Sequence, residues 1–268
     1  MFKLTTTPAG APARSEGDDS MSIGAITLFV ALALTVQAAS LAKPATSGSA
    51  IRICADEAHG QAPLLAQYTT IATKLGAEVS SFNTPITPEG LKGCRALLLR
   101  VPVEEIKADE SATIVDFVRK GGSLLLAFDE ERRAPLATTR VNDVIAPFGM
   151  RLTDDTDYLH NTGAIVRKGT INAADREVPF SGGRAVEGGT PFGWQLNEDG
   201  KPGQVFAAWA IVGQAGKVIV LGDAMATLFL GTPDGARLTG VPRDPTRTTF
   251  WGKDSAIFVE ELLTWLTK

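Results

Sequence analysis

Histidine and cysteine are scarce in this chain of 268 residues, which contains two of each. A mechanism that depends on histidine therefore has only His59 and His160 to use. The formal net charge is -4, so the protein has no basic field that would attract a polyanion. We therefore expect no nucleic-acid partner.

Two kinds of catalytic motif are also missing. No Gly-x-Gly-x-x-Gly follows the first predicted strand, and no Gly-x-x-x-x-Gly-Lys-Ser/Thr occurs, so the usual phosphate-cradling loops are absent from the sequence. A hydrolase or amidotransferase on an α/β sheet needs a Ser or Cys in a tight turn of the form Gly-x-Ser/Cys-x-Gly. The third and fourth predicted strands instead run into Arg100-Val101-Pro102 and Asp129-Glu130-Glu131.

The two cysteines, Cys54 and Cys94, would suggest a disulfide in an exported protein. Cys54 falls late in the first predicted strand, whereas Cys94 falls just before the third. In parallel neighbours this spacing predicts an offset of several residues at about 3.3 Å each, which is beyond the reach of a disulfide. We therefore expect two buried or partly buried thiols.

The first 50 residues are predicted to lie outside the folded domain. Residues 1–20 have the composition of a disordered leader, and residues 43–50 that of a linker. Between them, residues 21–42 contain the apolar run 23–36 followed by small residues, which is typical of a signal peptide or an uncleaved anchor. No basic region precedes the run, so the true start of the chain is either Met1 or Met21. The alternative to a signal peptide or anchor is that the run forms a buried core helix.

Export places the protein in the periplasm or outside the cell, or on the inner membrane if the segment stays uncleaved. Residues 23–36 are then the only contact with the membrane that we expect.

Residues 51–268 are predicted to form a single α/β domain. Apolar strand-like runs alternate with amphipathic helices, which is typical of a doubly wound, mostly parallel sheet. Residues 96–101 and 123–128 are nearly continuous apolar runs, as in strands buried on both faces. The region 150–203, rich in Gly, Asp and Thr, is predicted to be an irregular insertion, and residues 205–221 a C-terminal β-hairpin.

Acidic residues follow several of the predicted strands. Because ligands of open α/β sheets bind outside the carboxyl ends of the strands, we take these residues as the candidate ligand site. They are Asp56, Glu57, His59, Glu104, Asp129 and Asp223.

Two interpretations of this acidic edge stay open. We predict no cofactor, although carboxylates with one His could bind a divalent cation such as Ca²⁺ or Mg²⁺. Alternatively, Asp and Glu at such turns cap helices or are simply solvated, and His59 bonds a neighbouring loop.

Several segments resemble the class I glutamine amidotransferase-like proteins, and in particular their GIFT-type domains, which occur in gliding-motility, intraflagellar-transport and bacterial envelope proteins. The resemblance is carried by residues 56–61, 117–126, 142, 148–150, 216–223 and 263–266. It implies a flavodoxin-like sheet. Many members of the family have lost the catalytic triad and are suspected of binding saccharides or proteins, and this chain also lacks the nucleophile Cys.

We therefore expect an exported or anchored, non-catalytic domain that binds a saccharide or an envelope protein. The alternatives are a metal-assisted or acid/base hydrolase that uses the acidic edge, and an accessory subunit of an envelope transport system.

Overall fold

A computed structural model describes residues 50–60, 65–155, 163–180, 182–197, 199–227 and 254–268. The predicted leader, signal segment and nearly all of the linker lie outside the described residues, as do His160 and residues 228–253. In the described part, no helix has the length and apolar character needed to cross a membrane.

The described chain alternates strands and helices. The strands are β1 (Ile51–Asp56), β2 (Ala77–Phe82), β3 (Cys94–Arg100), β4 (Ser123–Ala127), β5 (Met150–Asp155), β6 (Ala164–Val166), β7 (Arg176–Val178), β8 (Arg184–Gly188), β9 (Thr190–Leu196), β10 (Pro202–Val212) and β11 (Gly216–Leu221). The α-helices are α1 (Leu65–Lys74), α2 (Ala108–Arg119), α3 (Leu136–Thr139), α4 (Val141–Ile145) and α5 (Ser255–Thr267), with short 3-10 helices at Ala146–Phe148 and Ala224–Thr227.

Within the described residues, nine strands form one sheet in the order β2-β1-β3-β4-β11-β10-β9-β6-β7. The first five are parallel, and their order is the 2-1-3-4-5 order of flavodoxin-like sheets. Strands β10, β9, β6 and β7 continue the sheet in antiparallel fashion. The structure therefore has a mixed α/β sheet whose first five strands are parallel, as the alternating pattern predicted, and whose other four strands are antiparallel.

The helices follow from this strand order. The connections β1–α1–β2 and β3–α2–β4 run in opposite directions along the sheet, so right-handed crossovers place α1 and α2 on opposite faces. Accordingly, α1 packs against α5, and α2 packs against α4. The order reverses between β1 and β3, which is where a ligand crevice is expected in this kind of sheet.

The buried strands are those with unbroken apolar runs. All five residues of β4 are buried, and Leu97 and Leu99 of β3 are at most 1% exposed. Helices on both faces leave no solvent-facing side for polar residues, which explains the lack of alternation.

The prediction of an irregular insertion between residues 150 and 203 is only partly right. Strands β6 and β9 from this region pair with each other and join β10, so they widen the main sheet. Only β5 and β8, among the described strands, form a separate antiparallel pair. Strands of three residues, such as β6, are too short to show a periodic pattern, and their partners lie far away in the sequence.

The prediction of two free thiols is wrong. Cys54 and Cys94 form a disulfide whose Cα atoms are 5.8 Å apart. Cys94 is the first residue of β3 and pairs with Arg52, so the two cysteines are offset by two residues and not by several. The pairing then skips Arg95, and such a bulge redirects the neighbouring side chains.

Reduction of this disulfide is expected to destabilise the protein. The bond joins residues 40 apart, for which loop-closure entropy gives at most about 4 kcal/mol. Urea unfolding followed by Trp fluorescence, with and without a reductant, measures the effect. A Cys54→Ala, Cys94→Ala variant is the control and should not respond to the reductant. An unchanged midpoint in fully reduced wild-type protein would contradict the prediction.

Candidate functional site

The sheet brings the predicted site residues to one edge. Strands β1, β3, β4 and β11 are parallel neighbours, so their carboxyl ends meet at the same edge. Asp56 ends β1, and Asp129 and Asp223 follow β4 and β11 by two residues each. Glu57, His59 and Glu104 lie in the loops that leave β1 and β3.

Asp56 and His59 are in direct contact, and both are buried, at 2% and 6% exposure. The ring nitrogen Nδ1 of His59 lies 3.1 Å from Asp56 Oδ2, and Nε2 lies 3.2 Å from Oε1 of Glu110, which is 2% exposed. We call these three residues the acid–histidine cluster. Both ring nitrogens face a carboxylate, so the doubly protonated, charged form of His59 satisfies both contacts.

The pKa of His59 is accordingly raised above its ordinary value. The hydrogen bond to Asp56 is the main cause, burial opposes it, and the charges of Asp56 and Glu110 add to the increase. At pH values below this raised pKa, the histidine is the cation of a buried ion cluster.

Glu110 joins three parts of the fold. Its carboxylate accepts hydrogen bonds from the backbone N–H of Ile86 at 2.8 Å and of Lys107 at 3.0 Å, in addition to its contact with His59. Lys107 precedes α2, so the Glu110 side chain also satisfies a free N–H at the start of that helix. The cluster thereby fixes the β1 loop to the start of α2.

The β1 loop fills the crevice between β1 and β3. Gly60 and Pro102 form a β-bridge, and the carbonyl of His59 accepts the N–H of Val103 at 2.7 Å. A Cβ on Gly60 would lie 2.5 Å from the carbonyl oxygen of Arg100, so glycine is required for this close approach. The chain itself thus occupies the place where the fold would admit a ligand.

Val101, directly after β3, has a strained backbone. Its φ is +46°, a conformation that is a genuine outlier for a β-branched residue. Its side chain is 2% exposed. A non-glycine residue with positive φ directly after a strand is one feature of a nucleophile elbow, but α2 begins only at Ala108 and the side chain here is a buried valine.

Asp129 and Asp223 bond the backbone of their own turns. Asp129 accepts the N–H of Glu130 at 2.8 Å, and Asp223 accepts the N–H of Met225 at 2.7 Å. Burial raises the pKa of Asp129, while the N–H of Glu130 and the guanidinium of Arg133 oppose the increase. Both carboxylates are under 5% exposed, so they stabilise the turns from inside.

A buried arginine covers this part of the edge. Arg184 is 0% exposed and donates to the carbonyls of Asp129, Thr153 and Ala134 at 3.0, 3.0 and 3.3 Å. It also pairs with the carboxylate of Glu131. The start of β8 therefore lies against the turn after β4.

Glu57 and Glu104 are the predicted site residues that solvent reaches most easily. Glu57 is half-buried and Glu104 is exposed. Their predicted contact with a ligand stays a prediction. Among the residues that the structure describes, no three His, Cys, Asp or Glu side chains form a group that could hold a metal ion.

Sequence reasoning missed three residues of this edge: Glu110, Val101 and Arg184. Glu110 had a detectable signal, since an acidic residue at the third position of a helix commonly bonds the N–H groups at its start. The strain at Val101 and the burial of Arg184 depend on contacts between distant segments, which a single sequence does not reveal.

The strand order defines a mixed α/β fold whose five parallel strands are consistent with a flavodoxin-like sheet. No family model and no curated protein matches the chain. Among solved structures it is similar to the mmIFT52 N-terminal domain, with a TM-score of 0.51 and 16% identity over 65% of this chain and 86% of that one.

A second similar structure is that of a putative GMP synthase component from Thermoplasma acidophilum, with a TM-score of 0.46 and 9% identity over 81% of this chain and 92% of that one. At such identities the likeness concerns the fold alone.

Proposed function

We propose that the chain is a non-catalytic binding domain of the GIFT type, exported or anchored to the membrane, that takes a saccharide or an envelope protein. The observation that carries the proposal is Val101 in the strained turn after β3. The assignment to GIFT-type domains rests on the sequence motifs described above.

Val101 lies where a nucleophile would be expected in a catalytic relative of this architecture. In a hydrolase of this architecture the strained turn holds the nucleophile where a substrate can reach it. Valine has no nucleophilic atom, and this side chain is buried. The strained position after β3 thus holds no nucleophile, which supports a binding role.

The state of His59 supports the same role. A general base needs a nitrogen that can reach a proton on the substrate. Asp56 holds Nδ1, as an orienting acid would, but Glu110 occupies Nε2. The histidine is therefore engaged on both sides by the protein itself.

The disulfide between Cys54 and Cys94 supports export. Disulfides persist in oxidising compartments such as the periplasm and are rare in the cytosol of mesophiles. The feature that sequence reasoning rejected is thus the best structural argument for the location that it proposed.

A thermal-shift screen of the full chain against saccharides, nucleotides and divalent cations tests the proposal. A ligand that binds only the folded state at 100 times its Kd adds about 2.7 kcal/mol to the stability, so a concentration-dependent rise in Tm with a saccharide is the expected result. If no saccharide shifts the Tm and no stable complex with an envelope protein is isolated from membranes, the proposal fails.

An acid/base or metal-assisted hydrolase is the competing proposal, and the contact between Asp56 and His59 is the observation that favours it. It predicts a stoichiometric cation in the purified protein that a His59→Ala variant loses. Elemental analysis of both proteins decides the point, because the binding-domain proposal expects no difference between them.

A further inference from the structure

A groove in the part of the chain that the structure describes lies away from the acidic edge. It has a volume of about 620 Å³ and runs between one side of α2 and the segment 88–95. Residues 93–95 begin β3 and residues 121–122 precede β4, so the groove lies at the amino ends of these strands. Its size is in the usual range of small-molecule sites.

One wall of the groove is apolar. Phe117 of α2 and Leu91 line it. The Phe117 ring lies over the backbone of Gly122, since a Cβ placed there would be 2.4 Å from the ring atom Cζ. Glycine at this position therefore lets the tip of the ring lie against the chain, and the half-buried ring lines the groove.

Arg95 lines the same groove and is held in place by backbone carbonyls. Its Nη1 donates to the Gly121 carbonyl at 2.6 Å, and its Nε donates to the Thr267 carbonyl at 3.4 Å. No carboxylate among the described residues forms an ion pair with it. The guanidinium is thus positioned in advance while its charge lacks an anionic partner.

A second cation lies close by. Lys217 donates to the Trp265 carbonyl at 2.7 Å. Burial lowers its pKa, and the positive charges of Arg95 and Lys268 lower it further. Arg95 and Lys217 are thus two cationic side chains whose donors bond backbone carbonyls at or just after the ends of α2 and α5.

The lining of the groove also carries polar groups. Asp116 and Lys120 form an exposed pair at 3.3 Å, and Thr113 lines the groove one turn before them on α2. These groups can exchange hydrogen bonds with hydroxyls, and the Asp116–Lys120 pair adds no net charge.

We propose that this groove binds an acidic monosaccharide, with the ligand carboxylate on Arg95, one face of the sugar ring on Phe117, and hydroxyls toward Thr113 and Asp116. The inference rests on the proposed binding function and names its site and ligand class. A planar guanidinium suits a carboxylate in two-point contact, and an aromatic ring suits the apolar face of a sugar.

Titration calorimetry of the full chain with glucuronate, and with glucose as the neutral counterpart, tests the inference. Glucuronate is expected to bind, and to bind more weakly at high salt because the contact is ionic. Glucose is expected to bind at least about tenfold more weakly than glucuronate, because it lacks a charged hydrogen bond worth more than about 1.4 kcal/mol. Absence of glucuronate binding at millimolar concentration, or equal binding of glucose, overturns it.

Two variants on the same helix locate the site. Ala112 and Ala108 are both exposed on α2, one turn apart, but only Ala112 lines the groove. Ala112→Trp should abolish glucuronate binding, whereas Ala108→Trp should leave it unchanged, because helical side chains lean toward the amino end and Trp at 108 points away from the groove. Circular dichroism checks that both variants fold.

Arg95→Gln is the third variant and should weaken glucuronate binding at least tenfold while leaving any weak glucose binding unchanged. If glucuronate binds but Ala112→Trp and Arg95→Gln have no effect, the groove is not the site. The domain would then still be a saccharide-binding protein, so this failure is distinct from failure of the proposed function.

Discussion

Replacing Arg184 with alanine is expected to lower the free energy of unfolding by about 3 to 5 kcal/mol. The guanidinium donates to three backbone carbonyls, two of which belong to the buried residues Asp129 and Ala134. An unsatisfied buried acceptor costs about 1 to 3 kcal/mol. The Arg184 guanidinium also lies 5.5 Å from the centre of the Phe128 ring, and this contact is lost as well.

Urea unfolding followed by Trp fluorescence measures the loss. Arg167→Ala is a suitable control, because Arg167 pairs with Asp175 at 2.7 Å but both side chains are about half exposed, and such surface pairs contribute little. Glu131→Gln should also cost far less than Arg184→Ala, since the Glu131 side chain is 52% exposed. Equal losses in Arg184→Ala and Arg167→Ala would show that Arg184 does not organise this edge.

Removing His59 is expected to cost about 3 to 5 kcal/mol at pH 6, and less as the pH rises. His59→Ala leaves the carboxylates of Asp56 and Glu110 buried without their cation, which is the costly way to break a buried ion pair. The neutral histidine of the wild-type protein at high pH satisfies only one of the two carboxylates, so there the wild-type protein has less to lose.

The decrease of this cost with rising pH follows from the raised pKa of His59. The folded state binds the proton more tightly than the unfolded chain, whose histidine has a pKa of about 6.5. The contribution of this proton to stability is fully present below about pH 6.5 and is lost as the pH rises through the higher pKa of the folded state.

The measurement is the difference in unfolding free energy between the wild-type and His59→Ala proteins at pH 6, 7.5 and 9. Titrating groups away from Asp56 and Glu110 have the same surroundings in both proteins, so their effects cancel to first order. A difference that stays constant or grows with pH would contradict the charged state that we assign to His59.

The parallel centre of the fold was predictable from the sequence because the signal is local. The apolar runs of β3 and β4 and the amphipathic pattern of α2 depend only on neighbouring residues. The alternation of strand and helix then permits few topologies, since crossovers are right-handed. The antiparallel extension by β6 and β9 was not predictable in this way, because its pairings join segments with no strong pattern of their own.

In the candidate site, too, some features were predictable from the sequence and others were not. The position of Asp56, Asp129 and Asp223 at one edge of the sheet was correctly predicted from the sequence, because the carboxyl ends of parallel strands meet there. It could not show that these three carboxylates point into the fold and bond their own turns, which depends on the packing of the β1 loop and of β8 over the edge. Nor could it show that Glu110, 51 residues from His59, shares the histidine with Asp56.

The sequence by itself determined the α/β class, the acidic edge and the lack of a nucleophile elbow motif, since each depends on residue type and local order. Only the tertiary structure decided the disulfide, the two carboxylate contacts that raise the pKa of His59, and the position of the groove beside Arg95. One bulge at Arg95 changes the offset between Cys54 and Cys94, and burial between two carboxylates gives His59 its raised pKa. These are properties of distances between segments remote in the chain, and only folding sets those distances.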